Sequence, residues 1–215
     1  MENGIGIYLS YSSNNALCNN TCKNNSHGMY LHDSPNNMLE DCVCLSNTYG
    51  LGIHCSQDNV LRGNCMEGNE YNFGIIYDGG VGYHPQDIDT TNTVNGNPIY
   101  YFVEQSDIVI DGSTMSIGYL GFVRCTNVTV RNVQISANVD GIVLIGTEYV
   151  TVENCTFQGN RNGISLWWSS NNQIKNCDGL NNNSRGIFIG CSSKNEVGNC
   201  TFRENGWAGI CVESI

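Results

Sequence analysis

Positive charge is scarce in this chain. Its 215 residues hold nine Lys and Arg against 20 Asp and Glu, a net charge of −11. Nucleic acid is gripped through basic stripes, so it is excluded as a partner. No apolar run reaches the roughly 18 residues of a spanning helix, so no membrane insertion by this segment is expected. The paired Cys-x-x-Cys of a zinc site is missing despite twelve cysteines, and Cys42-Val43-Cys44 alone is no metal signature. No secretory leader precedes the first repeat, which Met1-Glu2-Asn3-Gly4-Ile5-Gly6 enters without an end cap. Gly209 to Ile215 stops mid-repeat. Repeat arrays need polar caps, so the expectation is a single domain, residues 1–215, cut from a longer protein.

What is abundant is glycine (25), asparagine (32) and regularly spaced aliphatics. Glycine followed by an apolar residue occurs at Gly6, Gly28, Gly52, Gly74, Gly141, Gly163, Gly186 and Gly209. Most of these steps are 22 or 23 residues; Gly28 to Gly52 is 24, and Gly74 to Gly141 is close to three periods. A second column runs Leu17, Leu39, Leu61, Ile88, Ile110, Val130, Val152, Ile174 and Val197. Apolar residues alternate over three to five positions and break at Gly, Asn or Ser, which is strand periodicity with turn punctuation. One such unit cannot bury its apolar face alone; stacked at the strand spacing of about 4.8 Å it can. Leucine-rich repeats need a helical segment that is missing here. The predicted fold is all-β: a right-handed parallel β-helix, a solenoid of about nine to ten coils of about 22 residues. A surface loop of about five extra residues is expected near 78–87.

Stacking turns each repeat position into a ladder. The alignment places Ile7/Met29/Ile53/Ile75 and Leu9/Leu31/Cys55/Tyr77 inside, with Ile142/Ile164/Ile187/Ile210 and Leu144/Leu166/Ile189/Val212 as their later counterparts. Asn20, Cys42, Asn64, Cys155, Cys177 and Cys200 fall at a corner, which suits asparagine because it tolerates the left-handed region. The corner cysteines read as buried thiols, with a structural disulfide or a metal as alternatives. Outward, Cys18, Glu40, Arg62, Asp89, Asp111, Arg131, Glu153 and Lys175 form a column of mostly alternating sign. Asp89 over Asp111 breaks the alternation, so Asp87, Asp89 and Asp111 make a candidate acidic patch, either solvated or a cation site, Ca²⁺ being the ion considered. Tyr8, Tyr30 and His54 form an outward aromatic column. Trp167 and Trp168, with Phe188, lie farther along the same wall; such rings stack on sugars or cover a protein contact.

The run Asp87-Ile88-Asp89-Thr90-Thr91-Asn92-Thr93-Val94-Asn95-Gly96 with Pro98-Ile99-Tyr100-Tyr101, and the later Asn-x-Ile-x-Asn-Cys-x-Phe units, resemble the NosD-like right-handed β-helix repeat proteins. These belong to the broader class of carbohydrate-binding proteins and sugar hydrolases, and the likeness is closest to surface and secreted β-helix proteins of methanogenic archaea. The resemblance implies an extracellular or cell-surface module. Sequons at Asn19, Asn24, Asn127 and Asn182 fit that location, whereas Asn154 and Asn199 precede corner cysteines where a glycan is not expected to fit.

Three functions remain open. The first is a non-catalytic module that binds polysaccharide or packs against neighbouring surface proteins, with end-to-end self-association through its coil edges and no cofactor. The second is a polysaccharide-active lyase, epimerase or glycoside hydrolase using Asp87, Asp89 and Asp111. His84-Pro85-Gln86-Asp87 is only faintly similar to the Asp-Pro-His-Asp motif of alginate epimerases and departs from it at the first acid. The third is metal handling by His27, His32 and His54, with Met29 and Cys55 expected to face inward.

Overall fold

The computed structural model describes residues 4–77 and 85–214. Contacts divide the chain into two compact units, Met1–Tyr100 and Tyr101–Ile215. Regular structure among the described residues is entirely β, and the coils make a solenoid of about nine turns of about 22 residues. Residues 78–84, where most of the expected surface loop falls, lie outside the described residues.

Each regular coil has three strands, one long and two short in the first unit, while Thr126–Arg131 and Glu148–Glu153 give two coils of the second unit a further six-residue strand. In the first unit the long wall is built from Ile5–Ser10, His27–His32, Tyr49–His54 and Tyr71–Ile76, all parallel. A second wall stacks Ala16–Cys18, Met38–Glu40, Val60–Arg62 and Asp87–Ile88. A third stacks Thr21–Lys23, Val43–Leu45, Cys65–Glu67 and Thr93–Val94. Thr93 and Val94 then pair antiparallel with Pro98 and Asn97 across Asn95-Gly96, both at positive φ (46° and 77°). An Asn-Gly pair with that backbone is a tight hairpin turn. The second unit repeats the plan, its long wall running Tyr119–Val123, Asp140–Ile145, Asn162–Trp167, Arg185–Gly190 and Ala208–Glu213.

The aliphatic marker column stands as expected: Leu17, Leu39, Leu61 and Ile88 are register partners in the first unit. Ile110, Val130, Val152, Ile174 and Val197 are partners in the second. The long wall of the first unit corrects the alignment. Ile7 and Met29 are followed by Leu51 and Phe73, while Leu9 and Leu31 are followed by Ile53 and Ile75. The glycine column is therefore Gly6, Gly28, Gly50, and the step is a uniform 22. Here space enforces glycine: a Cβ on Gly28 would stand 2.6 Å from the Gly50 carbonyl oxygen, closer than any side chain tolerates. Cys55 and Tyr77 leave the inward column and sit past the strand ends.

Corners follow a two-residue rule. The first residue is left-handed, as at Asn19, Asp41 and Gly63 (φ 55°, 51° and 63°) or Asn154, Asn176 and Asn199 (φ 55°, 52° and 53°). The next residue is the corner Asn or Cys, so it is the preceding residue that adopts the left-handed turn. The corner side chain turns inward and donates to a carbonyl of the preceding coil. Asn64 Nδ2 reaches Leu39 O at 2.8 Å, Cys42 Sγ reaches Leu17 O at 3.2 Å, and Cys177 Sγ lies 3.6 Å from Val152 O, each 25 residues back. Thiol and amide interchange because both offer a donor in one place. Asparagine also accepts: Asn47 Oδ1 takes the Asn25 amide hydrogen at 2.8 Å, and Asn69 Oδ1 takes that of Asn47 at 2.7 Å. Each buried bond adds about 1 kcal/mol net, and leaving one unmade costs up to about 3.

Candidate functional site

The outer face of the first unit's long wall carries three columns. Each strand places a residue outward just before the glycine position, then others two and four positions beyond the glycine. The first column is Ile5, His27, Tyr49 and Tyr71; the second Tyr8, Tyr30, Gly52 and Gly74; the third Ser10, His32, His54 and Ile76. The sequence reading put Tyr8, Tyr30 and His54 in one column. His54 belongs instead to the next column, beside His32. The three do meet: Gly52 leaves the place above Tyr30 vacant, and the Tyr30 hydroxyl reaches His54 Nδ1 at 3.1 Å.

Rings cover this face almost continuously. Tyr8 and Tyr30 stack with centroids 5.8 Å apart and planes 12° from parallel. His27 stacks on Tyr49 at 4.7 Å and 11°, and Tyr49 leans on Tyr71 at 5.1 Å. His32 and His54 are 5.0 Å apart, and Tyr11 meets His32 edge-on at 5.7 Å. Tyr8 is 50% exposed and Tyr11 78%, so the patch is open to a ligand at that end, whereas Tyr71 is only 4% exposed. Burial lowers the His27 pKa, because a charged imidazole is poorly solvated between rings. His27, Tyr49 and Tyr11 are contributors the sequence reading missed as part of this ring face.

The three candidate acids are each occupied locally. Arg62 Nη2 lies 2.6 Å from Asp87 Oδ2, and Arg62 Nε 3.4 Å from Asp89 Oδ2. In the second unit Asp111 accepts from the Ser113 hydroxyl at 2.7 Å, Asn132 Nδ2 at 3.0 Å and Arg131 Nε at 2.8 Å. These bonds, with Ser113 first among them, hold its carboxyl far below the usual carboxylate range. Among the described residues no three His, Cys, Asp or Glu side chains gather as a metal site. His27, His32 and His54 lie outside the wall, while Met29 is fully buried behind it and Cys55 lies at a corner. These residues do not fit a shared metal.

On the second unit's long wall, Trp167 is 5.8 Å from Trp168 and 4.6 Å from Phe188. Phe188 itself is only 3% exposed. Trp168 turns the corner at φ 45°, an uncommon conformation for a bulky residue. Beside them lie groups that the sequence reading passed over: Asp140, Asn162, Arg185 and Trp207. Asp140 is buried; its Oδ1 accepts from Asn162 Nδ2 at 3.0 Å and from the Ser165 hydroxyl, and burial pushes its pKa up.

Cys155, Cys177 and Cys200 are free thiols, their Sγ atoms turned to carbonyls at 3.1–3.3 Å two residues back. The sequons divide differently from expectation. Asn19, Asn24 and Asn127 are exposed, and so are Asn154 and Asn199, which sit at outward left-handed corners. Asn182 is 1% exposed, with Nδ2 committed to Phe157 O at 3.2 Å and Asn205 Oδ1 at 3.0 Å. It cannot carry a glycan in the folded protein.

Residues 90–214 match the family model described as right handed beta helix region. The chain belongs to the right-handed β-helix family. The model described as periplasmic copper-binding protein (NosD) matches residues 1–101 of this β-helix protein, which is thus NosD-like in its first half. No curated protein matches it significantly. Among solved structures it is similar to the A-module of the Azotobacter vinelandii mannuronan C-5 epimerase AlgE4, at 11% identity and a TM-score of 0.39. The match covers 92% of this β-helix chain and 58% of that one. The chain thus spans a little over half the length of that structure.

Proposed function

We propose that this β-helix is an extracellular module that holds polysaccharide against its outer wall without cleaving it, the ring face of residues 5–76 being the binding surface. The Tyr8–Tyr30 stack carries the reading: two nearly parallel rings at 5.8 Å, the outer one half exposed, on a rigid parallel sheet. Sugar rings present apolar C–H faces that pack on such aromatics, and the flanking tyrosine hydroxyls and imidazoles supply donors and acceptors at the rim. A preformed wall loses little conformational freedom on binding.

The acids support binding over hydrolysis. Glycoside cleavage uses a carboxyl that keeps its proton near neutrality beside an ionised partner. Asp111 is pulled the other way, and Asp87 and Asp89 are both engaged by Arg62. The periplasmic location in the description of the NosD family supports a place outside the cytoplasm.

Affinity electrophoresis through gels containing neutral polysaccharides tests the reading, with viscometry of the same polymers alongside. Wild-type protein is expected to be retarded, and Tyr8→Ala with Tyr30→Ala to release it, with viscosity constant throughout. A viscosity loss abolished by Asp89→Asn would replace the binding module with an enzyme.

A further inference from the structure

The outer wall of the second unit holds an arginine whose surroundings are those of an anion receptor. Arg185 lies in register with Asn162 on one side and Ala208 on the other. Its guanidinium carbon sits 4.8 Å from the Phe188 ring centre and 4.3 Å from that of Trp207. Two rings fix the plane of the group and leave its N–H edge to do the bonding. The side chain is only 21% exposed, and its outer donors face the Glu213 carboxylate and the Cys211 thiol. Nε is buried with no hydrogen-bond partner among the described residues, and Glu213 Oε1 stands 3.7 Å from Nη2, beyond a direct bond. The neighbouring Asn162 spends its NH₂ on Asp140 and keeps a buried Oδ1 without a partner among the described residues.

We propose that this wall carries a second binding site, for an oxyanion borne on a polysaccharide (a uronate carboxylate or a sulfate ester), with Arg185 as its anchor. It goes beyond the ring face of residues 5–76 and stands on different residues. An oxyanion offers its oxygens to the guanidinium in place of the Glu213 carboxylate, which stands 3.7 Å from Nη2. Trp207, 62% exposed, and Trp167 flank the place where the sugar ring lies. Burial raises the pKa of the nearby Asp140 carboxyl, and the charges of Arg161 and Arg185 act against that rise.

All three tryptophans of the chain, Trp167, Trp168 and Trp207, lie on this wall or at its edge, so their emission reports occupancy. The experiment titrates wild-type protein with polygalacturonate, dextran sulfate and neutral dextran while following tryptophan fluorescence. One or both acidic polymers are expected to change the emission, and the one that responds names the group. Arg185→Gln should weaken that response about tenfold or more, the loss of a charge-assisted pair. Arg185→Lys should recover part of it, since an ammonium cannot bond through two parallel N–H groups. Neutral dextran should leave the emission unchanged, which separates this site from the ring face. Wild-type emission indifferent to both acidic polymers would overturn the proposal. So would an Arg185→Gln variant that titrates like wild type. Trp207→Ala provides the same test if Arg185→Gln does not fold.

Discussion

The hydroxyl of Tyr30 lies 3.1 Å from Nδ1 of His54, a residue on the next coil in the adjoining column. The bond exists because Gly52 leaves an opening on the wall, and the Tyr30 ring leans into it: a Cβ at Gly52 would stand 3.1 Å from Tyr30 Cδ2. Two columns that the strand pleat keeps apart are thereby joined into one surface.

Gly52→Val should close that opening. The variant is expected to fold, since Val suits a strand, but to push the Tyr30 ring off His54. Retardation in neutral polysaccharide gels should fall several-fold, in line with the ~0.5–1.5 kcal/mol of an aromatic contact. Unchanged retardation would mean that the ring face does not work as one surface.

The buried thiols set an alkaline limit on stability. Burial raises the Cys44 pKa well above its ordinary value of 9.0, and Cys22, Cys125 and Cys200 move the same way. Cys177 rises too, its hydrogen bond with Cys155 being the largest cause. A thiol with a raised folded pKa holds its proton longer in the native state than in the unfolded one. Its contribution is therefore complete below pH 9 and is lost as pH climbs beyond it. Urea melts at pH 7, 9 and 10.5 should show midpoints falling across the last interval. Cys44→Val should flatten that fall; a slope identical to wild type would remove Cys44 from the account.

Asp140 has the same sign at the acid end. Its folded pKa lies above 3.8, so the native state is favoured by its proton, and this contribution fades as pH rises through the shifted value. Asp140→Asn keeps an oxygen for Ser165 and Asn162 but cannot ionise. It should be more stable than wild type at pH 7 and no more stable at pH 3, measured by chemical denaturation. A constant difference at both pH values would show that folding leaves the Asp140 pKa unshifted.

Asn160 lies inside the same kind of ladder as Asn47, donating to Ile135 O at 3.1 Å and accepting from the Asn138 amide at 3.0 Å. Asn160→Ala should lower unfolding free energy by about 1–3 kcal/mol. Asn181→Gly, at an outward left-handed position (φ 51°), should cost little or nothing, because glycine accepts that backbone freely. Comparable losses for the two variants would mean that the corner amides do not bond as described.

Expression in a host that adds N-linked glycans separates the sequons. Peptide mapping should find sugar at Asn154 and Asn199 as well as Asn19 and Asn24, and none at Asn182 in folded material. A glycosylated Asn182 in native protein would contradict its place in the ladder.

The repeat period, the marker column and the inward face of the second unit could all be read from the sequence, because burial imposes the same residue class every coil. The error fell at Gly52 and Gly74. A slip of two residues keeps every side chain on its own face, so the hydrophobic pattern cannot detect it, and only the ladder partners change. The candidate sites suffered from a different blind spot. His27 and Tyr49 in one unit, and Asp140, Asn162 and Arg185 in the other, all occupy the residue immediately before the glycine position. There the strict alternation breaks, and a residue that period-two counting turns inward in fact points out. The Asn95-Gly96 dipeptide of the hairpin is a turn signal that 32 asparagines in one chain make hard to single out.

The uniform step of 22 residues in the first unit makes length a free variable there. Excising residues 27–48 would join Ser26 directly to Tyr49, in the place His27 now holds, and every stacked column would close on its next member. Duplicating them would extend it equally smoothly. The molecule grows by translation, as a crystal does, so the span of a ligand it can accompany is measured in whole coils, while the chemistry presented at each coil can be rewritten one outward residue at a time.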